Sequence, residues 1–413
     1  MQPKVIASSS FPALLLTLLC AVNAFAGPTG RVIYNFADGI GGTQFPLALD
    51  KAGNLYGTAP DGGTAGSGVV FELSRTSGGD WQESTLYSFS KNNRPQSGVI
   101  FDKQGNLYGE TQDAEIYELT PNTGGAWTET TLWTFTGDSG GSDPYGGLTF
   151  DRDGNLYGAA KTSGDLKCNV GGVGCGLIFK LTHNSSGQWT EHVLYTFQNP
   201  SNGAQPWGPL VFDANGNLYG TTYYGGDTSC YDGFLAGCGV VFELSHGSSG
   251  SWVENVLFTF TQQPYTLAYP IGGVILDANG NLYGVASGGG DAFGAVYEMS
   301  PAANGIWTET TLYSFKGGAG DGAFANNGLI VADNGDILGT TAAGGGPDDG
   351  VIFQLLPASG GGWSERLLHT FFLTNYDGAS PRAGLTIGSN GTFFGTTAQG
   401  GANGTGIVYQ FTR

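Results

Sequence analysis

Short runs of alternating apolar and polar residues fill the chain, punctuated by polar turns, and the stretch from Gly147 to Thr162 shows the unit: Gly-Leu-Thr-Phe-Asp-Arg-Asp-Gly-Asn-Leu-Tyr-Gly-Ala-Ala-Lys-Thr. Two alternating runs flank an Asp-x-x-Gly-Asn corner, the pattern of a tight β-hairpin. Its core recurs as Asn54-Leu55-Tyr56-Gly57, Asn106-Leu107-Tyr108-Gly109, Asn155-Leu156-Tyr157-Gly158, Asn217-Leu218-Tyr219-Gly220 and Asn281-Leu282-Tyr283-Gly284. Weaker copies follow at Asp336-Ile337-Leu338-Gly339 and Thr392-Phe393-Phe394-Gly395. Successive copies lie 49 to 64 residues apart, and a period near 50 built only of short strands predicts a propeller or array.

Each full unit holds four strand-like pieces, which in the third are Gly147 to Asp151, Asn155 to Ala159, Gly176 to Leu181 and Trp189 to Phe197. In the other units the fourth piece starts at Trp81, Trp127, Trp252, Trp307 or Trp363 and ends at Phe89, Phe135, Phe260, Phe315 or Phe371. The seventh unit lacks such a piece, while an orphan run, Arg31 to Phe36, precedes every hairpin core. Tyr34 and Phe36 match the columns of Tyr313 and Phe315, so the N-terminal strand is expected to complete the last blade. The fold predicted is all-β: a seven-bladed β-propeller of four-stranded blades, forming one domain over residues 27–413. With the first piece of each unit innermost, the loops leading into the blades and those between second and third strands share one face. These loops vary most, which marks that face for binding.

The repeated aromatic-Ser/Thr-Phe, Pro-x-Gly-Gly-Leu-x-Phe-Asp, Gly-Asn-Leu-Tyr-Gly-Thr-Thr and Gly-Val-Val-Phe-Glu-Leu segments resemble the GloVer tandem repeat of exported bacterial proteins, over essentially all of Arg31 to Arg413. The resemblance implies an extracellular or surface location and no catalytic residues. Members often carry a C-terminal sorting segment, whereas this sequence stops right after Phe411-Thr412-Arg413, so anchoring by that route is not expected.

Export is also written in the N-terminus. Lys4, an apolar run from Phe11 to Val22, and Ala24-Phe25-Ala26 form a secretory signal peptide, residues 1–26, with a bulky Leu19 before Cys20 that argues against lipidation. No later stretch is long and apolar enough to span a bilayer. The formal charge is -19 from 34 acids and 15 Lys and Arg, which disfavours nucleic acid and anionic membranes as partners. Four cysteines follow the signal: Cys168, Cys175, Cys230 and Cys238, all in the long second-to-third loops of blades 3 and 4. An even count in an exported chain favours disulfides over zinc, whose ligands come in closer Cys pairs. Each pair flanks one loop, which predicts Cys168 with Cys175 and Cys230 with Cys238; the alternative staples adjacent blades.

Candidate chemistry is sparse. Asp50, Asp102, Asp151, Asp213 and Asp277 hold one position of the corner and are read as turn residues, because copies spread around a ring cannot converge. His183, His192, His246 and His369 fall away from the loop face, which counts against a metal hydrolase or imidazole-based lyase. Loop acids Asp227, Asp232, Asp291, Asp348, Asp349 and Asp377 lie on that face, but turn chemistry accounts for them as well. No metal site or cofactor is called for. The distinctive cluster is aromatic: Tyr145, Trp207, Tyr223, Tyr224, Tyr231, Phe234, Tyr265 and Tyr269, in loops of blades 3 to 5. Such rings beside polar groups suit stacking against sugars, and equally they suit plugging the loops onto the top of the barrel. The reading is a monomeric, exported binding or scaffold propeller for an extracellular glycan or peptide. Its rival is an enzyme on extracellular polysaccharide that uses carboxylates of the loop face.

Overall fold

Asp151 shows why the repeated corner folds. Its Oδ1 accepts the backbone N–H of Asp153 and of Asn155, both at 2.9 Å, while Oδ2 accepts Asn155 Nδ2 at 2.7 Å and the Tyr157 hydroxyl at 3.1 Å. Gly154, at φ +87°, turns the chain back. Asp50, Asp102, Asp213 and Asp277 repeat the scheme. The repeated carboxylates are therefore structural groups of the hairpin.

The computed structural model describes residues 29–412 apart from 38, 91–92, 169–171, 199, 232–235, 249, 262–266, 290–292, 304, 327, 333 and 359, so the signal segment lies outside the described residues. Among them the strands form seven antiparallel sheets, the blades of a propeller. Blade 1 comprises Ala48–Leu49, Leu55–Ala59, Val69–Arg75 and Trp81–Ser88 from the axis outwards. In blade 3 the innermost strand begins earlier than the hydrophobic pattern alone marks. Ser142–Pro144 pairs with the second strand, Leu156–Thr162, before a break, and Thr149–Phe150 pairs with it after the break. Gly146 and Gly147 make that break at φ +103° and +118°.

Successive blades are held together by one recurring set of contacts. Seven core clusters each join two consecutive blades. The Phe ending each outer strand packs on the third-strand aromatic of the next blade: Phe89 on Tyr117, Phe197 on Phe242, Phe315 on Phe353, with ring centroids 5.1 to 5.5 Å apart. Each outer strand also carries a β-bulge, and the extra residue, such as Leu312, turns into the cluster between the blades.

The N-terminal strand, Thr29–Asn35, pairs with Ile407–Thr412 and closes the seventh blade. It reproduces the outer-strand pattern in full. Its register shifts between Val32 and Tyr34, so Ile33 takes the bulge position, and Phe36 meets Phe71 of blade 1 at 5.2 Å. Asn403 Nδ2 and Thr405 Oγ1 both donate to the Phe36 carbonyl, at 2.7 and 2.9 Å. Among the described residues no helix is long and apolar enough to cross a membrane.

Candidate binding site at the mouth of the propeller axis

Six residues before each corner the chain reaches the mouth of the axis on the variable-loop face. Blades 3 to 5 place Tyr145, Trp207 and Ile271 there, whereas blades 1, 2, 6 and 7 place Gln44, Gln96, Asn326 and Arg382. One half of the rim is thus apolar and the other polar. Two residues earlier, Asp143, Gln205, Tyr269, Phe324 and Ser380 all adopt φ between +55° and +58°. A left-handed conformation costs a residue with a side chain about 1–2 kcal/mol, and its repetition shows that the surrounding fold imposes it. In four of these blades a proline follows and fixes the chain direction.

The rings form a continuous stack. Tyr145 lies 4.7 Å from Trp207, Trp207 5.2 Å from Tyr223, and Tyr223 5.4 Å from Tyr269 with planes 26° apart. Tyr224 packs on Tyr223 and Tyr269 at 4.7 and 6.2 Å. Phe45 of blade 1 reaches Tyr145 of blade 3 at 6.2 Å, a contact between blades that are not neighbours. All six rings are partly buried. Beside them Gly146 packs on Gly208 and Gly208 on Gly272 so closely that a Cβ would collide with the facing backbone, so the innermost strands of blades 3, 4 and 5 meet backbone to backbone. Five of the expected aromatic residues therefore meet in one site. Tyr231 is 60% exposed on the loop closed by Cys230 and Cys238, while Phe234 and Tyr265 lie outside the described residues.

Three charged groups flank the stack. Lys161, at the top of the second strand of blade 3, holds its Nζ 4.3 Å from the Trp207 ring centre and 5.5 Å from that of Tyr145. Burial lowers the Lys161 pKa and nearby Asp143 raises it; burial raises that of Asp143 and Lys161 lowers it. Glu110 is fully buried one blade away, its Oε2 accepting the Gly147 N–H at 2.9 Å while Oε1 has no partner, and burial pushes its pKa up to about 8. Phe45, Glu110, Asp143 and Lys161 escaped sequence reasoning, although Glu110 left a trace. It breaks a column in which Thr58 and Thr340 donate to carbonyls of the next blade, at 2.8 and 3.0 Å.

Disulfides join Cys168 to Cys175 and Cys230 to Cys238, with Cα atoms 5.6 and 5.5 Å apart, so each clips one loop of this face. The loop acids are engaged locally. Asp227 accepts the Ser229 N–H, Asp348 that of Gly344 and Asp349 that of Leu373, while Asp377 bonds His369 at 2.8 Å. Asp232 and Asp291 lie outside the described residues. Among the described residues no three His, Cys, Asp or Glu side chains gather as a ligand set for a metal.

The sequence profile of the Gloeobacter/Verrucomicrobia repeat matches residues 23–234 and again 228–413. The chain belongs to that family. Among curated proteins none matches it. Solved structures share the fold at low identity. A catalytically inactive virginiamycin B lyase from Staphylococcus aureus, determined with quinupristin, is 13% identical, with a TM-score of 0.52 over 94% of this chain and 99% of that one. The extracellular domain of a hybrid two-component system from B. thetaiotaomicron is 12% identical, with a TM-score of 0.54, and PorZ, a surface component of the type-IX secretion system of Porphyromonas gingivalis, is 13% identical, with a TM-score of 0.51. Each is matched over 92% of this chain, which spans 39% and 48% of theirs. At such identity the likeness speaks to the fold alone.

Within this family member three grooves lie between blades on the opposite face. They measure about 580 Å³ between blades 3 and 4 and again between blades 5 and 6, and about 470 Å³ between blades 2 and 3. Their walls are the repeat itself, corner Asp, hairpin Tyr and outer-strand Trp, with His183 against Trp189 and His246 against Trp252 at 4.9 and 4.0 Å. The mouth is where residues depart from the repeat, and we place the candidate site there.

Proposed function

We propose that this protein is an exported, monomeric propeller whose single domain, residues 27–413, binds an extracellular glycan or peptide across the mouth and performs no chemistry on it. The observation that carries this reading is the half-buried stack from Tyr145 to Tyr269, an apolar platform opposite the polar rim of Gln44, Gln96 and Asn326. Export is supported by the signal pattern of residues 1–26 and by two disulfides.

A polysaccharide-active enzyme is the rival, and the pairing of Glu110 with Asp143 beside the rings is what favours it. Yet Glu110 is sealed from solvent beneath the mouth and bonded to Gly147, where it touches no substrate. A glycan and peptide array probed with the mature chain tests the reading. Trp207→Ala is expected to weaken binding of the ligand found by about 1–3 kcal/mol with the fold intact. Unchanged affinity removes Trp207 from the site, and cleavage of the ligand overturns the assignment as a binder.

A further inference from the structure

Lys161 and Asp143 form an unusual couple. They sit opposite each other on paired strands, between the partners Ser142 with Thr162 and Pro144 with Ala160, yet among the described residues no carboxylate oxygen lies within ion-pair distance of Lys161 Nζ and neither side chain makes a hydrogen bond. Both are partly buried at the rim, on either side of Tyr145 in the sequence, and Lys161 rests on the Trp207 face. Two opposite charges this close in a half-buried site would ordinarily collapse into a salt bridge. Here Asp143 is fixed at φ +57° ahead of Pro144, and the Lys161 stem is fixed by the rings, so the gap persists.

An ammonium group only donates and a carboxylate only accepts, so the group that satisfies both must do each at once. A hydroxyl does so without bringing charge of its own. An anionic ligand would meet Asp143 and a cationic one Lys161, so the gap selects a neutral group. Resting on the binding reading of the mouth, we infer that its ligand is an uncharged glycan, one of whose hydroxyls bridges the Lys161 ammonium and the Asp143 carboxylate at the edge of the Trp207 ring.

The test is calorimetric titration of the mature protein with neutral hexose oligosaccharides, oligogalacturonate and uncharged peptides, using wild type, Lys161→Met, Asp143→Asn, the double variant and Trp207→Ala. Lys161→Met keeps the apolar stem on the rings, and Asp143→Asn tolerates the positive φ, so melting temperatures should stay close to wild type. The expected result is binding of a neutral oligosaccharide. Each single variant loses at least tenfold in affinity, and the double variant loses about as much as either, because the two charges act through one hydroxyl bridge. Binding of oligogalacturonate or peptide alone, sensitive to Trp207→Ala, overturns the inference and leaves the mouth a binding site. So does a neutral ligand whose affinity falls with Trp207→Ala but stays within twofold in Lys161→Met and Asp143→Asn. If no probe binds, the binding reading itself falls; if a probe binds and Trp207→Ala changes nothing, Trp207 is removed from the site and the inference is overturned.

Discussion

Glu110 occupies a fully buried strand position where other blades carry Thr58, Thr221, Thr340 and Thr396, and there it ties blade 2 to Gly147 of blade 3. Burial lifts its carboxyl from 4.5 to about 8, so between those values the folded chain holds a proton that the unfolded chain has released. Stability must therefore fall as pH rises through that window, by about 1.4 kcal/mol per pH unit for one such group. Glu191 and Glu254, lifted by burial to about 7, and Glu365, lifted by burial and by Asp321 to about 8, act with the same sign. Glu110→Gln keeps an acceptor for the Gly147 N–H and does not ionise. Urea unfolding at pH 5 and pH 8 should show the variant gaining on wild type at the higher pH, with the slope of stability against pH reduced by roughly one proton. An unchanged slope would assign the titration to other groups.

At the scale of the hairpin, the corner aspartates and the Gly of Leu-Tyr-Gly do different work. Burial pulls the Asp151 carboxyl up, but hydrogen bonds from Asn155, Tyr157 and Asp153 outweigh it and hold the pKa below the ordinary value. Its contribution is present above the unfolded-state pKa and fades as pH falls through the lowered one. Asp151→Ala should cost about 1–3 kcal/mol at neutral pH, and less in acid. Gly220 is required for close approach: a Cβ there would lie 2.7 Å from the Phe242 ring. Gly220→Ala should destabilise by about 1–3 kcal/mol through overpacking, measured as a lowered urea midpoint. The disulfides close loops of only 7 and 8 residues' separation, and chain entropy credits each with about 2.5 kcal/mol. Replacing Cys230 and Cys238 together by serine should lower thermal stability and loosen the loop that carries Tyr231.

At the scale of the molecule, ring closure depends on eight N-terminal residues reaching the far end of the chain. Strand pairing to Ile407–Thr412, Phe36 against Phe71, and Ile33 in the bulge together supply what six outer strands supply elsewhere. Without them the third strand of blade 7 presents an apolar edge able to recruit another chain. Deleting residues 27–38 should abolish cooperative thermal unfolding and cause concentration-dependent aggregation, partly rescued by a peptide copy of the strand. A truncated protein that melts like the full one and stays monomeric would show that the ring closes otherwise.

The blade count, the corner chemistry and the orphan strand were legible in the sequence, because period-2 alternation, Asx turns and a repeated Trp-to-Phe strand are local patterns that recur in register. The five aromatic residues of the mouth were legible as a cluster, since departures from a repeat stand out against it. Their stacking order was not, because it depends on the left-handed turns ahead of Pro144, Pro206 and Pro270, on the second strand of blade 4 that carries Tyr223 and Tyr224, and on the glycine contacts that let neighbouring innermost strands approach. Phe45 joined the site only through a contact between blades 1 and 3, and Lys161 and Asp143 became neighbours only because the early strand Ser142–Pro144, which the hydrophobic pattern does not mark, pairs with the second strand of blade 3. Local propensity sets the blade; the closed ring, by making distant blades share one axis, decides what meets at its mouth.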